Sequence, residues 1–217
     1  MLNVKVRADI PVREDGRETR ALIIECAGKL IAEKGYAKTT SKEICQMAQV
    51  NMGAVNYHFG SRDGLYLAVM EEVHAYLMNL GELNKIAQSG KSPREKVESF
   101  LDFYVANAYD NKDWHVLAWA RELLNPPEFI DEVLVRNALP KLAVVLDIFV
   151  EYTGLAKDDL RLYTCLLSTM APFGILFLAR SNNVKYEKLL PVNYPLADVI
   201  VQLKKFAFAG LESFRIK

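Results

Sequence analysis

Residues 40–59 hold two helical segments too short to exist alone, and that requirement constrains the rest of the chain. The first follows Thr40-Ser41-Lys42-Glu43, a capping-box pattern. In such a box the Thr hydroxyl accepts from the Glu43 amide while the Glu side chain reaches back to the Thr40 amide. That helix is cut off where ICQMAQV gives way to Asn51, a good N-cap for a second segment over Met52 to Phe59. Helices of about eight and about seven residues lie below the length at which an isolated helix is stable in water. They must pack on a third element, and the preceding stretch provides it. From about Glu14 to Lys34 the apolar residues Leu22, Ile23, Cys26, Ala27, Leu30 and Ile31 recur at spacings of three and four, and Gly35 supplies the stop. Ile44, Met47, Ala48, Val55 and Phe59 are the expected inward partners. Three helices, the last two short and joined by a tight turn at Gln49–Val50, make a helix-turn-helix.

The face left outward has the chemistry for a phosphate backbone and base edges. Thr39, Thr40 and Ser41 place hydroxyls at a helix N-terminus, where amides and dipole favour an anion. Gly53 and Ala54 allow close approach. Asn51 and Asn56 can bond bases or phosphates, Tyr57 and His58 can bond phosphates, and Lys42 and Arg62 add charge at the rim. Each residue has a plainer reading: Tyr57 as packing, His58 as a solvated surface group, Thr40 as a cap that serves its helix with or without DNA. The joint pattern carries the assignment. Bulk charge does not, since 27 Lys and Arg balance 27 Asp and Glu. The imbalance is local: residues 1–64 hold ten basic against eight acidic side chains.

The run Gly35-Tyr36-Ala37-Lys38-Thr39-Thr40, then Ile44, then VNMGAVNYHFGSRDGLYLAV over Val50–Val69, resembles the DNA-binding signature of the TetR family. It is most similar to the branch whose recognition helix reads roughly N-x-A-A-V-N-Y-H-F-G-S-K. The resemblance covers about residues 17–70. It implies phosphate or base contacts from Thr39, Thr40, Ser41, Asn51, Met52, Gly53, Asn56, Tyr57, His58 and Arg62, with Val55 and Phe59 in the core. Two positions depart from the pattern. Gln49 stands where the turn usually has Gly, so it must adopt a left-handed conformation or the turn is shaped differently. Arg62 replaces the usual Lys and keeps the charge.

Beyond the connector helix expected at about 62–80, Gly81 and Gly90 bracket a looser polar stretch. Ser92-Pro93-Arg94-Glu95 is a second capping box and launches a helix to about Tyr109. Further helices are expected from Asn111 to Leu124, then to about Tyr152 with a kink at Pro140, then over about 157–180 and 196–214. No strand pattern is visible, so the fold class is all-α with about nine helices. The domains are an arm at 1–16, a helix-turn-helix domain at 17–61, and a ligand-binding and dimerisation domain at 62–217.

The segment Arg121–Leu134, RELLNPPEFIDEVL, is similar to the same branch. The family resemblance implies a ligand pocket and a dimer interface in this half. Tyr104, Asn107, His115, Trp119, Arg121 and Glu122 are polar groups in apolar helices and are candidates for the pocket. Tyr163, Leu167, Met170, Gly174 and Phe177, with Phe206, Gly210 and Phe214 in the last helix, are candidates for the interface. The uncharged run between Arg161 and Arg180 is interrupted by Thr164, Ser168, Thr169, Pro172 and Gly174, and reads as a doubly buried helix rather than a membrane span.

Cys26, Cys45 and Cys165 are scattered without metal spacing and read as reduced thiols, with no metal or cofactor and a cytoplasmic location. No nucleotide-binding, zinc-protease or nucleophile-elbow motif occurs, so an enzyme is not expected. The expected function is regulation: a homodimer bound to a palindromic double-stranded DNA operator, a repressor by family default, released by a small-molecule effector. The alternatives are a constitutive or architectural DNA-binding protein without an effector, and an all-helical ligand carrier.

Overall fold

The computed structural model describes residues 12–109, 114–124, 127, 130–181 and 195–216. Among these no strand occurs. The helices are α1 (Val12–Lys34), α2 (Ser41–Ala48), α3 (Ala54–Phe59), α4 (Arg62–Leu77), α5 (Leu80–Ala87), α6 (Pro93–Tyr109), α7 (Trp114–Leu124), α8 (Ile130–Val133), α9 (Leu139–Thr153), α10 (Leu160–Ser181) and α11 (Leu196–Phe214). The chain divides into two compact units between Val69 and Met70.

In the first unit α1 packs on α2 and α2 on α3. Ile23, Ala27 and Ile31 of α1, Ile44, Cys45 and Ala48 of α2, Val55 of α3 and Leu65 and Val69 of α4 are buried. Four expected core residues are not: Leu30 and Phe59 are only half-buried. Leu22 and Met47 are about half exposed, at 47% and 46%. On α2 the inward positions are 44, 45 and 48, which turns residue 47 toward solvent. Helix α1 starts at Val12, inside the stretch read as an arm; residues 1–11 lie outside the described set.

In the second unit α9 is the hub, packed on α5, α6, α10 and α11. Its Phe149 meets Phe100 of α6 edge-on with ring centroids 6.0 Å apart, and its Tyr152 meets Phe208 of α11 at the same separation. The Tyr152 hydroxyl donates to Glu212 at 2.6 Å, and the Ile216 amide donates to the Thr153 carbonyl at 2.8 Å, tying the chain end to α9.

Three local expectations change. The stretch between Gly81 and Gly90 is partly helical: Asn79 accepts from the Gly81 and Glu82 amides and starts α5, with Leu83 fully buried. An apolar anchor and a side-chain cap outweigh one glycine. The helix expected to run through Pro140 is divided instead: a π-helical segment at Leu134–Ala138 precedes α9, and Pro140 sits in the first turn of α9, where a missing N–H is tolerated. Asn51 does not cap α3. The helix begins at Ala54 with Gly53 at the cap position, and it is the Asn51 carbonyl that accepts from the Ala54 amide.

The Ser92–Glu95 box closes as expected, Ser92 Oγ donating to Glu95 at 2.6 Å. Cys26, Cys45 and Cys165 are buried and free, and no described helix is long and apolar enough to cross a membrane.

Candidate functional site

The turn before α3 is built from both of the sequence's local signals. Thr40 caps α2 with a complete box: its hydroxyl donates to Glu43 at 2.7 Å, and its amide donates to the same carboxylate at 3.0 Å. Lys34 pairs with Glu43 from the end of α1. These contacts hold the Glu43 carboxyl down to about 2, the Lys34 ammonium first and the Thr40 hydroxyl and amide after it. Gln49 takes the left-handed conformation, φ 55° and ψ 38°, and the Val50 amide closes the turn on the Cys45 carbonyl at 3.0 Å. A non-glycine residue here carries a cost of about 1–2 kcal/mol, supported by the surrounding packing.

Beyond α3 a second group of residues fixes the corner into α4. Arg62 lies over the Tyr36 ring, 4.3 Å from its centroid, and donates to the Tyr36 hydroxyl and to the Thr39 carbonyl at 3.2 Å each. Tyr36 donates in turn to Asp63. Gly60 supplies the positive φ of 76°, and the Gly64 amide donates to Ser61 Oγ at 2.9 Å. A Cβ on Gly64 would overlap the Phe59 carbonyl oxygen and lie 3.3 Å from its carbon, so only glycine fits. Sequence reading missed Gly64, Tyr36 and Asp63, because the contacts that give them a role join residues far apart in the chain.

Held in this way, α3 presents one face to solvent. Tyr57 is 82% exposed, with Asn56, Asn51, Met52 and Gly53 exposed beside it and His58 half-buried, its ring edge-on to Tyr57. Thr19, Gln49, Val50 and Ala54 join Asn51, Gly53, Tyr57 and His58 around a shallow depression. Lys42 is exposed and Ser41 half-buried at the start of α2. Two candidates sit differently. Thr39 is buried at 1% and donates its hydroxyl to the Gly35 carbonyl, so that hydroxyl does not face outward. Arg62 is half-buried with its guanidinium turned onto Tyr36 and Thr39.

The second unit contains a cavity of about 270 Å³ between α4, α7, α9 and α10. Of the expected pocket residues, Tyr104 and Trp119 line it. His115 and Glu122 are buried but do not line it, Arg121 is exposed, and the side chain of Asn107 is outside the described set. Burial pushes the Tyr104 phenol up to about 12, so it keeps its proton. His74 and Lys141 also line the cavity and were not anticipated, since a lone His and a lone Lys on amphipathic helices read as surface.

Among the expected interface residues, Tyr163, Leu167, Phe206 and Phe214 are exposed at 44%, 70%, 74% and 37%, leaving an uncovered apolar face on α10 and α11; Gly210 is exposed too. Met170 lines the cavity instead, and a Cβ at Gly174 would come 3.7 Å from the Tyr104 hydroxyl, so these two turn inward. The side chain of Phe177 is outside the described set.

Comparison with known proteins agrees with this division. Residues 23–69 match the family described as bacterial regulatory proteins, tetR family. Residues 93–210, more than half of the chain, match the C-terminal domain of the HTH-type transcriptional dual regulator CecR. The HTH-type transcriptional regulator TtgR of Pseudomonas putida is 37% identical over 62 residues, covering 29% of this chain and 30% of that protein. The HTH-type transcriptional repressor Rv3405c of Mycobacterium tuberculosis is 33% identical over 85 residues, 39% of this chain and 42% of that one. The chain thus spans under half the length of these relatives. A TetR-like transcriptional regulator from Rhodococcus sp. RHA1 superposes with a TM-score of 0.67 over 89% of this chain and 96% of its own, at 14% identity, which is a likeness of fold. The chain therefore belongs to the TetR family of helix-turn-helix transcriptional regulators, with a C-terminal domain of the CecR kind.

Proposed function

We propose that this regulator is a cytoplasmic homodimer that represses from a pseudo-palindromic operator and leaves it when a small molecule fills the cavity of the second unit. The observation that carries the DNA half is the outward face of α3: Tyr57 at 82% exposure, with Asn56 and the small Gly53 beside it. An exposed phenol on a helix too short to stand alone has no packing role, while a phosphate gives it a hydrogen-bond partner. Asn51, Met52, Asn56, Tyr57 and His58 form the contact set, in keeping with the recognition-helix branch named above. Ser41, Lys42 and the capped start of α2 add backbone contacts. Thr39 and Arg62 act by holding the corner.

Two recognition helices about one DNA turn apart are needed for specificity, and the exposed apolar face of α10 and α11 is the candidate dimer surface. Helix α4 carries Arg62 at one end and His74 at the other. A ligand acting on the His74 end releases DNA only through different affinities for two positions of that helix.

Selection of bound sequences from random double-stranded DNA tests the reading. A palindromic consensus is the expected result; no enrichment overturns it. Since the C-terminal match is to a protein named a dual regulator, a reporter downstream of the selected site should be read for both signs. Repression that no bound compound relieves would remove the effector half.

A further inference from the structure

From the charge of the cavity, we infer that the effector is an apolar acid carried as its monoanion, its carboxylate pairing with Lys141 Nζ. The inference rests on the proposal that this cavity is the ligand site. Two lysines are buried among the described residues, Lys96 and Lys141, each 8% exposed. Lys96 has an answering carboxylate, Glu151, at 2.7 Å. Lys141 has none among the described residues; its contact is the His74 carbonyl, which accepts from Nζ at 2.5 Å. An ammonium has three donors, and a buried charge without a counterion is costly.

The neighbouring charges among the described residues do not supply that counterion. Glu122, the only buried carboxylate among the described residues, faces His74 Nε2 at 3.6 Å. Glu71 is exposed on α4 and makes no ion pair with Lys141. Its charge favours the ammonium, while burial, the larger effect, brings Lys141 down to about 8. Among the described residues, Lys141 is therefore a buried cation at the cavity wall with no carboxylate in contact.

The rest of the cavity describes the body of the ligand. Leu77, Met78, Val116, Trp119 and Leu142 give it apolar walls. A space of 270 Å³ suits a small organic molecule rather than a cofactor-sized one. One ammonium answers one negative charge, which disfavours phosphate esters and dianions. A cationic ligand would meet Lys141 directly. The neutral Tyr104 phenol and the His74 ring are the polar groups that share the wall.

The test uses two matched series on the full chain, octanoate with octanamide and octylamine, and 2-naphthoate with 2-naphthamide and 2-naphthylmethylamine, titrated by calorimetry. In at least one series the acid should bind about tenfold or more tighter than its amide, and the amine should bind weakest. Lys141→Met should reduce the acid-to-amide ratio to near one with amide binding kept, and Lys141→Arg should retain a preference for the acid. The wild-type comparison needs no variant to fold. Equal binding of acid and amide, preference for the amine, or no binding of either acid at about 1 mM overturns the inference. Operator affinity, measured separately by fluorescence anisotropy, distinguishes the two claims. An acid that binds through Lys141 without changing DNA affinity upholds the anion site and sinks the effector reading.

Discussion

The backbone of Gly64 lies against the Phe59 carbonyl so closely that no side chain can be placed between them. This contact joins the first turn of α4 to the last residue of α3, and with Arg62 over Tyr36 it holds the corner between the two helices. Gly64→Ala should cost about 1–3 kcal/mol, the usual penalty for overpacking, and should weaken operator binding at temperatures where the variant is still folded. Urea denaturation and anisotropy on one preparation check both; unchanged stability would mean the corner is more pliable than the contact implies.

Tyr57 is the opposite case. With 82% of its surface in water it contributes almost nothing to packing. Tyr57→Ala should leave the unfolding midpoint unchanged and reduce operator affinity by about 1–3 kcal/mol, with a smaller salt dependence only if a charged contact is lost as well. Normal affinity in this variant would remove the phenol from the contact set.

The pH behaviour of the first unit follows from Glu43. Its carboxyl is held below its ordinary 4.5, at about 2, so folding favours the ionised form. The stabilisation is complete above about 4.5 and is lost as pH falls toward 2. Glu43→Gln should therefore narrow its stability deficit relative to the parent protein on acidification, read as urea midpoints across that window. Thr40→Ala removes the cap itself and should cost about 1 kcal/mol near neutrality.

Lys141 has the reverse sign. Its folded value of about 8 is below the ordinary 10.5, so the charged ammonium opposes folding, fully below 8 and decreasingly up to 10.5. Glu71, His74 and Tyr104 are the titratable neighbours, and Glu71 partly offsets the penalty. Without ligand, Lys141→Met should be more stable than the parent by about 1–3 kcal/mol at pH 7, with the gap closing by pH 10.5. A destabilised variant at pH 7 would mean that the bond to His74 outweighs the buried charge.

For the apolar face of α10 and α11, Leu167→Glu combined with Phe206→Lys should give monomers in sedimentation velocity while helix content stays constant. Both side chains are more than two-thirds exposed in the single chain, so their replacement disturbs little inside it. A dimer that persists would shift the interface elsewhere.

What could be read from the sequence was what is decided locally. The Thr40–Glu43 box, the stop at Gly35 and the left-handed demand on Gln49 each depend on a few adjacent residues, and each is present. Where two local signals compete, reading failed: Gly81 looked like a breaker, and the Asn79 cap and Leu83 anchor prevailed. The cavity was beyond reach for another reason. Lys141 and His74 are 67 positions apart, and only packing of α9 on other helices makes a lysine an interior charge. Met170 and Gly174 were grouped with Leu167, but the buried face of α10 runs through Leu162, Cys165, Leu166, Thr169 and Phe173, and residues 170 and 174 follow 166 and 173 closely enough on the helix to border it.

Gln49 gives the first unit an internal fuse. A residue held against its own backbone preference stays in place only while its neighbours hold it there, and those neighbours are the Cys45 and Gln46 carbonyls and the small core under α2. Weakening any of them lets the turn relax before the longer helices notice. The Val50 amide is therefore the early reporter of damage in this unit, and its hydrogen exchange should quicken ahead of amides in the middle of α1.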